Sequence, residues 1–335
     1  MAAASQILAP YTGHPSTFPV DQPLKKKLPA GSTVAYLQCV TPICGLIGQL
    51  FAPAVKTMGN GLKLTVSKAG ASAESLQSAM QSIITEKPAA VVLPAVEPDS
   101  INTQLHQLAQ TNVPIASDGI MNEKKYGIGA AMFNVATAEV AGKILAAWVV
   151  KTKGSSANVV FYLTPELSFG TYIQEGFKKE LAALCPSCKL RTVVVPVATI
   201  GNSAPSHVVS DLQANPDTNV GVFSTEEAAD GLAAAMQTAG LSTTITGFGP
   251  DPEVLQAIKR GQITSGLGLA FPVMVWAQLD EAIRLATHQP LTAGEKAGIP
   301  PLQMLTKQDI NFNPTLGYPG YPDFAARFAK LWNGS

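Results

Sequence analysis

An α/β protein of two lobes, each a parallel sheet covered by helices, is what the sequence predicts. Apolar strand-like runs alternate with helical periods along the chain, and the pattern starts again near Val135. The 335 residues suffice for two domains with cores of their own. Such alternation implies right-handed βαβ units.

The first thirty residues hold five prolines and the run Lys25-Lys26-Lys27 with little periodicity. Residues 1–30 are therefore expected to form an extended arm, its lysines solvated. The stretch 34–55, VAYLQCVTPICGLIGQLFAPAV, then offers an apolar strand at 34–37, a break at Thr41-Pro42, and a helix with Ile43, Ile47, Leu50, Phe51 and Val55 on its apolar positions. Residues 62–67 are a strand, 73–85 a helix started by Ser72, 90–93 a strand, 99–110 a helix, and 114–117 a strand ending at Asp118-Gly119. A short apolar piece at 128–133 closes this set.

The second set opens with a long helix at 135–150, followed by a strand at 158–163, a helix at 170–184 and a strand at 190–195. A helix at 203–213, a strand at 220–223 and a helix at 226–238 come next, the last ended by Gly240. Residues 245–248 are a strand, 252–259 a helix ended by Gly261, and 264–269 a strand. After Pro272 a helix runs to about Ala286, residues 303–305 form a last strand, and a short amphipathic helix at 324–331 follows a proline-containing tail.

In an open α/β sheet, ligands bind at the carboxyl ends of the strands. The loop 38–45 is thus the first place to look for a site. It carries two cysteines, a threonine and an isoleucine, but no lysine, arginine or carboxylate, and it lacks the glycine spacing of a phosphate cradle. A nucleotide is not expected there. Net charge is zero and only 14% of residues are charged, which leaves no basic face for nucleic acid. No apolar run approaches the ~20 residues that a membrane span needs, so a soluble protein is expected. The segment MAAASQILAP has neither the basic stretch nor the apolar core of a secretory signal; the protein is then cytoplasmic, or a signal has been removed ahead of it.

His106, His207 and His288 are isolated and His14 lies in the arm, so no metal site is expected, and no cofactor is called for. There is no nucleophile elbow, HExxH or paired histidine motif. No catalytic residue is assigned, and the protein is not expected to be an enzyme. Cys39 and Cys44 flank the proline turn, close enough to bridge across the loop. Cys185-Pro-Ser-Cys188 follows the end of a helix, where a structural bridge fits better than a redox-active pair. Zinc held between the two pairs would require the lobes to bring them together. Two local pairs agree with an oxidising compartment and a removed signal.

The motifs VVLPAVEPDSI at 91–101, VPIASDG at 113–119, QEGF at 174–177, NPD at 215–217, QTAG at 237–240, TGFG at 246–249 and IKRGQITSGL at 258–267 follow the strand-proline-helix of 34–55 in order. Over roughly 31–307 the chain resembles the ribose-type sugar-binding proteins of ABC importers, which have the type I periplasmic binding fold and are related to the effector cores of the Lac-repressor family. The resemblance implies two Rossmann-like lobes with parallel sheets, joined by three crossing segments and closing on one ligand by hinge motion. The crossings would fall near 132–135, 270–272 and 305–308. Lobe 1 would then be 31–132 plus 272–307, lobe 2 residues 133–271, and 308–335 a C-terminal extension. It also implies secretion to the periplasm or as a tethered lipoprotein, delivery to the importer's membrane subunits, and a monomer.

The departures from that family bear on the ligand. The arginine that follows the aspartate of the fourth strand is replaced by Gly119, and a second arginine before Gln174 has given way to Thr171, Tyr172 and Ile173. Gly-Phe-Asp has become Gly247-Phe248-Gly249, the paired aromatics after the first proline are Ile43 and Cys44, and the preceding asparagine is Thr41. The ligand-binding candidates are Gln38, Thr41, Ile43, Cys44, Asp118, Asn134, Phe169, Tyr172, Glu226, Phe248 and Phe271. Against this stand plainer readings: the phenylalanines pack the lobes, Asp118 caps a turn, and Glu226 and Glu227 cap a helix. The ligand is expected to be a sugar or polyol, or a more apolar deoxy-sugar, aromatic or terpenoid-like compound. Two other functions stay open: a regulator's effector core, which would need a helix-turn-helix that the proline-rich arm cannot supply, and an α/β enzyme using Asp118 or Glu226 as base.

Overall fold

The structure is a computed structural model describing residues 1–334. It divides into two compact units. The first comprises Ser16–Asn134, Ala270–Pro301 and residues 319–334; the second comprises Met1–Pro15, Val135–Leu269 and Leu302–Tyr318.

The chain does not begin as an extended arm. Ala2–Leu8 is a helix (α1), continued by a 3₁₀ turn at Ala9–Tyr11. Ahead of Pro10 the segment is rich in alanine, the best helix former, with one glutamine and one leucine beside it. Ala4 and Leu8, one turn apart, are buried. The prolines obscured this in the sequence. Residues 16–30 are irregular but docked: Val20, Leu24 and Leu28 are buried, and the amides of Lys25 and Lys26 both donate to Gln289 Oε1. Lys27 is also held, its Nζ donating to the Met58 carbonyl and Asn333 Oδ1.

The first unit holds a parallel sheet of five strands: Thr33–Gln38 (β1), Lys63–Lys68 (β2), Ala90–Leu93 (β3), Ile115–Ser117 (β4) and Ala130–Ala131 (β5), in the order β2-β1-β3-β4-β5. β1 and β3 are buried along their apolar cores, as the interior strands of a covered parallel sheet must be. Its helices are Pro42–Met58 (α2), Ala73–Glu86 (α3) and Asn102–Gln110 (α4). Pro42 is the first residue of α2, where its missing N–H costs no bond, and Thr41 before it is extended. Ser72 caps α3 by accepting from the Ser75 amide at 3.2 Å.

The second unit, which also holds α1, continues with Val135–Lys153 (α5) and carries the strands Asn158–Leu163 (β6), Lys189–Val194 (β7), Val220–Phe223 (β8) and Thr244–Gly247 (β9), parallel in the order β7-β6-β8-β9. Its helices are Phe169–Leu184 (α6), Ala204–Ala214 (α7), Leu232–Thr238 (α8) and Pro252–Arg260 (α9). α5 and α6 pack backbone to backbone through two glycines: a Cβ at Gly142 would overlap the Ile173 carbonyl, and one at Gly176 the Glu139 carbonyl. The single helix expected over 226–238 is two pieces, a 3₁₀ turn at Glu226–Ala229 and then α8. Gly231, at φ +76°, turns the chain between them.

Ser265–Leu269 (β10) and Leu302–Thr306 (β11) form an antiparallel pair in the second unit. Residues 302–307 thus leave lobe 1, where the sequence reading placed them. The chain crosses between units at 15/16, 134/135, 269/270, 301/302 and 318/319, five times where three were expected. Phe271–Ala286 (α10), Ala293–Ala297 (α11) and Phe324–Asn333 (α12) belong to the first unit. α11, which periodicity did not reveal, is short and held by a capping box between Thr292 and Glu295.

Candidate functional site

In the first unit, β1 ends at Gln38, and the chain turns through Cys39 and Thr41 into α2. Cys39 and Cys44 are disulfide-bonded, closing that turn, and Cys185 and Cys188 form the second bridge. The Tyr36 hydroxyl, buried beneath, donates to the Cys44 carbonyl in the first turn of α2 at 2.9 Å. Thr41 does not cap α2 with its side chain; its hydroxyl lies 3.7 Å from the Cys39 sulfur. The half-buried Gln38 side chain lies over Gly48, where an added Cβ would stand 3.2 Å from its Oε1. Glycine at 48 therefore gives Gln38 its room. Ile43, the second residue of α2, is half-buried.

Asp118 ends β4. Its amide donates to the Leu93 carbonyl at 3.0 Å, and its carboxyl accepts from the Ala95 amide. The residue is buried and Oδ2 has no hydrogen-bond partner. Burial pushes the carboxyl well above the usual carboxylate range, with the Ala95 amide pulling the other way. Gly119 takes φ +75°, a conformation that disfavours any side chain there. The missing arginine thus has a backbone reason.

Behind Asp118 the apolar helix α10 carries four buried polar side chains, Gln278, Asp280, Glu281 and Arg284. Gln278 Nε2 donates to the carbonyls of Leu93 and Ala116, tying α10 to β3 and β4. Arg284 pairs with Asp280 and lies 3.5 Å from Glu295, while Trp332 Nε1 donates to Asp280 Oδ1 at 2.6 Å. Neither oxygen of Glu281 has a hydrogen-bond partner. Burial, reinforced by Glu295, Asp280 and Asp118, holds its carboxyl far above the usual range. These residues were not among the sequence candidates. A signal existed: a helix apolar on nearly all sides is buried on all sides, and so are its polar residues.

The other two candidates in this unit take different parts. Asn134 Nδ2 donates to the Ala297 carbonyl at 2.9 Å, fixing the end of α11. Phe271 is the first residue of α10 and is buried.

In the second unit, Phe169 starts α6 at the carboxyl side of β6, and its ring meets Phe248, just past β9, edge to face at 5.7 Å. Tyr172, half-buried, lies in the same first turn of α6. The Glu226 amide donates to the Phe248 carbonyl at 2.7 Å. Glu226 is not an exposed helix cap: it is wholly buried, both carboxyl oxygens lack a hydrogen-bond partner, and a Cβ at Gly266 would overlap Oε2. Burial, then neighbouring Asp251, push its carboxyl up strongly. Asp251 caps α9 through the Val254 amide at 2.9 Å and is hydrogen-bonded to Asp230, whose carboxyl is pushed up to about 9 by burial and by Asp251.

Each unit therefore sets its candidates at the carboxyl ends of its own parallel sheet: Gln38, Thr41, Ile43, Cys44 and Asp118 in the first, Phe169, Tyr172, Glu226 and Phe248 in the second. Among the described residues, no group of three or more histidine, cysteine or acidic side chains is arranged to hold a metal ion, and no helix is long and apolar enough to cross a membrane.

A sequence profile of the periplasmic binding protein domain matches residues 46–290. No curated protein matches the sequence at a significant level. Solved structures are similar in fold at low identity. A carbohydrate transporter from Acidothermus cellulolyticus in complex with myo-inositol is 16% identical with a TM-score of 0.70, covering 89% of this chain and 99% of its own. An ABC transporter solute binding protein from Agrobacterium vitis with bound allitol is 17% identical with a TM-score of 0.70, covering 84% and 97%. A putative LacI transcriptional regulator from Bacteroides fragilis is 13% identical with a TM-score of 0.73, covering 84% and 98%.

Proposed function

The chain belongs to the periplasmic binding protein domain family, and on that premise we propose that it is an extracytoplasmic receptor that clamps one small molecule between its lobes and delivers it to an ABC importer. The observation that carries this reading is the extent of the family match, which starts within α2 and runs through β2 to β5 of the first sheet, the whole second sheet and α10. Two disulfides support an oxidising compartment, the periplasm or the outer surface.

The ligand we propose is a polyol or deoxy-sugar, or a more apolar ring compound, in preference to a free hexose. Relatives of the same fold hold myo-inositol and allitol. Each buried hydroxyl left unpaired costs ~1–3 kcal/mol, and the residues offered here are few in polar donors. The left-handed backbone at Gly119 disfavours an arginine. By contrast Tyr172, half-buried in the same first turn of α6 as the buried Phe169, and Ile43, half-buried at the start of α2, leave apolar surface for a ligand to cover, at about 25 cal/mol per Å² buried. Asp118 is the polar anchor of this reading.

The test is calorimetry against myo-inositol, allitol, D-fucose, glucose and galactose, alongside mass spectrometry of whatever small molecule copurifies. Binding of a polyol or deoxy-sugar that Asp118→Ala abolishes is the expected result; tight binding of glucose or galactose would overturn the ligand preference. Turnover of any of these compounds would overturn the receptor reading itself. A second reading, an effector-sensing core, is favoured by the likeness to the Bacteroides regulator. It predicts binding without stimulation of an importer's ATPase.

A further inference from the structure

The five crossings between units leave two that the three-segment hinge of the sequence reading does not use, at 15/16 and 318/319, and the chain on either side of each is anchored. On the second-unit side, α1 buries Ala4 and Leu8 and packs against α5, and the 3₁₀ turn after it packs against β11. On the first-unit side, the Phe18 ring lies 5.2 Å from Tyr321 and 5.0 Å from Phe328. The Pro19 carbonyl accepts from Thr292 Oγ1 at 3.0 Å, and it lies so close to Gly294 that a Cβ there would overlap it. The Gln22 carbonyl accepts from Arg284 Nη2 at 2.6 Å, and the Leu24 amide donates to the Leu331 carbonyl at 2.9 Å.

The C-terminal segment mirrors this. Leu302–Thr306 and the 3₁₀ turn Pro314–Leu316 belong to the second unit, while α12 packs on α2 in the first. The two terminal segments therefore meet each other on the first unit, through Phe18, Tyr321, Phe328, Leu24 and Leu331. Each then runs into the second unit.

We propose that these two segments form a clasp that limits how far the units part. The inference rests on the hinged-receptor reading above and adds its regulation. Between the anchors, residues 12–14, 16 and 17 are exposed and Pro15 is half-buried. An extended chain spans at most about 3.3–3.6 Å per residue, so the link from Tyr11 to Phe18 lets its ends separate by no more than roughly 25 Å. Opening beyond that length would have to strip α1 from α5 or Phe18 from its aromatic partners. Both steps expose apolar surface, so the clasp would resist wide opening while leaving small excursions free.

A site-specific protease sequence placed at residues 12–17 tests this in the full chain without ligand. Cleavage is expected to raise the radius of gyration in small-angle scattering and to speed amide exchange at 133–136 and 268–272, with residues 1–11 still bound. A second variant, with ten glycine and serine residues inserted at the same place and left uncut, is expected to change both in the same direction by less. Unchanged scattering and exchange after cleavage would overturn the clasp, as would loss of the 1–11 fragment on gel filtration, because an anchor that weak carries no load. An effect of cleavage with none from lengthening would also overturn it, since chain length would then not be the limit. None of these outcomes touches ligand binding, which the calorimetry decides separately.

Discussion

Asp230 and Asp251 share a hydrogen bond in the second unit, and two carboxyls that close hold a proton between them. Asp230 is raised to about 9 when folded, from an ordinary value near 3.8. The folded chain thus keeps a proton that the unfolded chain gives up. This contribution to stability is fully present below pH ~4, declines as pH rises toward about 9, and is flat beyond, at a slope of up to about 1.4 kcal/mol per pH unit. Asp230→Asn keeps a hydrogen-bonding partner for Asp251 without the proton. Urea midpoints from pH 5 to 8 should fall less steeply in that variant than in the parent; equal slopes would show that the pair does not hold the proton. Gly119 offers a second residue-level test. Gly119→Arg restores the family's arginine at a left-handed backbone position, which costs a non-glycine residue roughly 1–2 kcal/mol. A thermal midpoint lower by about 2–8 °C is expected, whatever the arginine does for a sugar.

At the level of the element, the turn from β1 into α2 joins a proline start, a disulfide and the Tyr36 hydroxyl bond. A bridge closing so short a loop restricts the unfolded chain by ~2 kcal/mol on the chain-entropy model. Cys39→Ser with Cys44→Ser should lower the urea midpoint accordingly. It should also speed amide exchange in the first turn of α2, and thiol titration of the unfolded, unreduced parent should find no thiol. Helix α10 makes the complementary case. Its Glu281 is buried among other carboxyls with no hydrogen-bond partner for either oxygen. Its folded pKa is raised, so it too favours stability at low pH and costs stability as pH rises. Glu281→Gln is expected to stabilise at pH 8 and to change little at pH 4, as read from denaturant midpoints. Lower stability at both pH values would mean that the carboxylate is satisfied in a way that glutamine cannot match.

For the whole molecule these groups act in one direction. Asp118, Glu226, Glu281 and Glu295 are buried acids that, like the half-buried Asp230, are held above their ordinary range, Glu295 at about 8. The intact protein should therefore be more stable near pH 5 than near pH 8, and differential scanning calorimetry at the two values checks it. Ligand binding should add to this by mass action. On the hinged-receptor reading it should also shrink the radius of gyration, since the ligand favours the state in which both lobes touch it. A profile unchanged at saturation with a compound that calorimetry has shown to bind would place the site within one lobe.

Much of this was legible in the chain itself, because periodicity of 2 and 3.6 is a local property. The strands at 90–93, 158–163 and 220–223 coincide with β3, β6 and β8, and the break at Thr41-Pro42 coincides with the start of α2. The family resemblance followed from motifs strung along those same elements. What the sequence could not carry was whatever depends on partners far away in the chain. α1 reads as part of a proline-rich arm until α5 is there to cover Ala4 and Leu8. Residues 302–306 are a strand in either lobe until β10 pairs with them. Glu226 looks like a helix cap until Gly247 and Gly266 bring two strands close enough to bury it. The sequence by itself determined the order and type of the elements and the family; tertiary structure decided which unit each terminal segment joins and which carboxyls lose water, because burial and pairing arise from chain segments that local pattern does not connect.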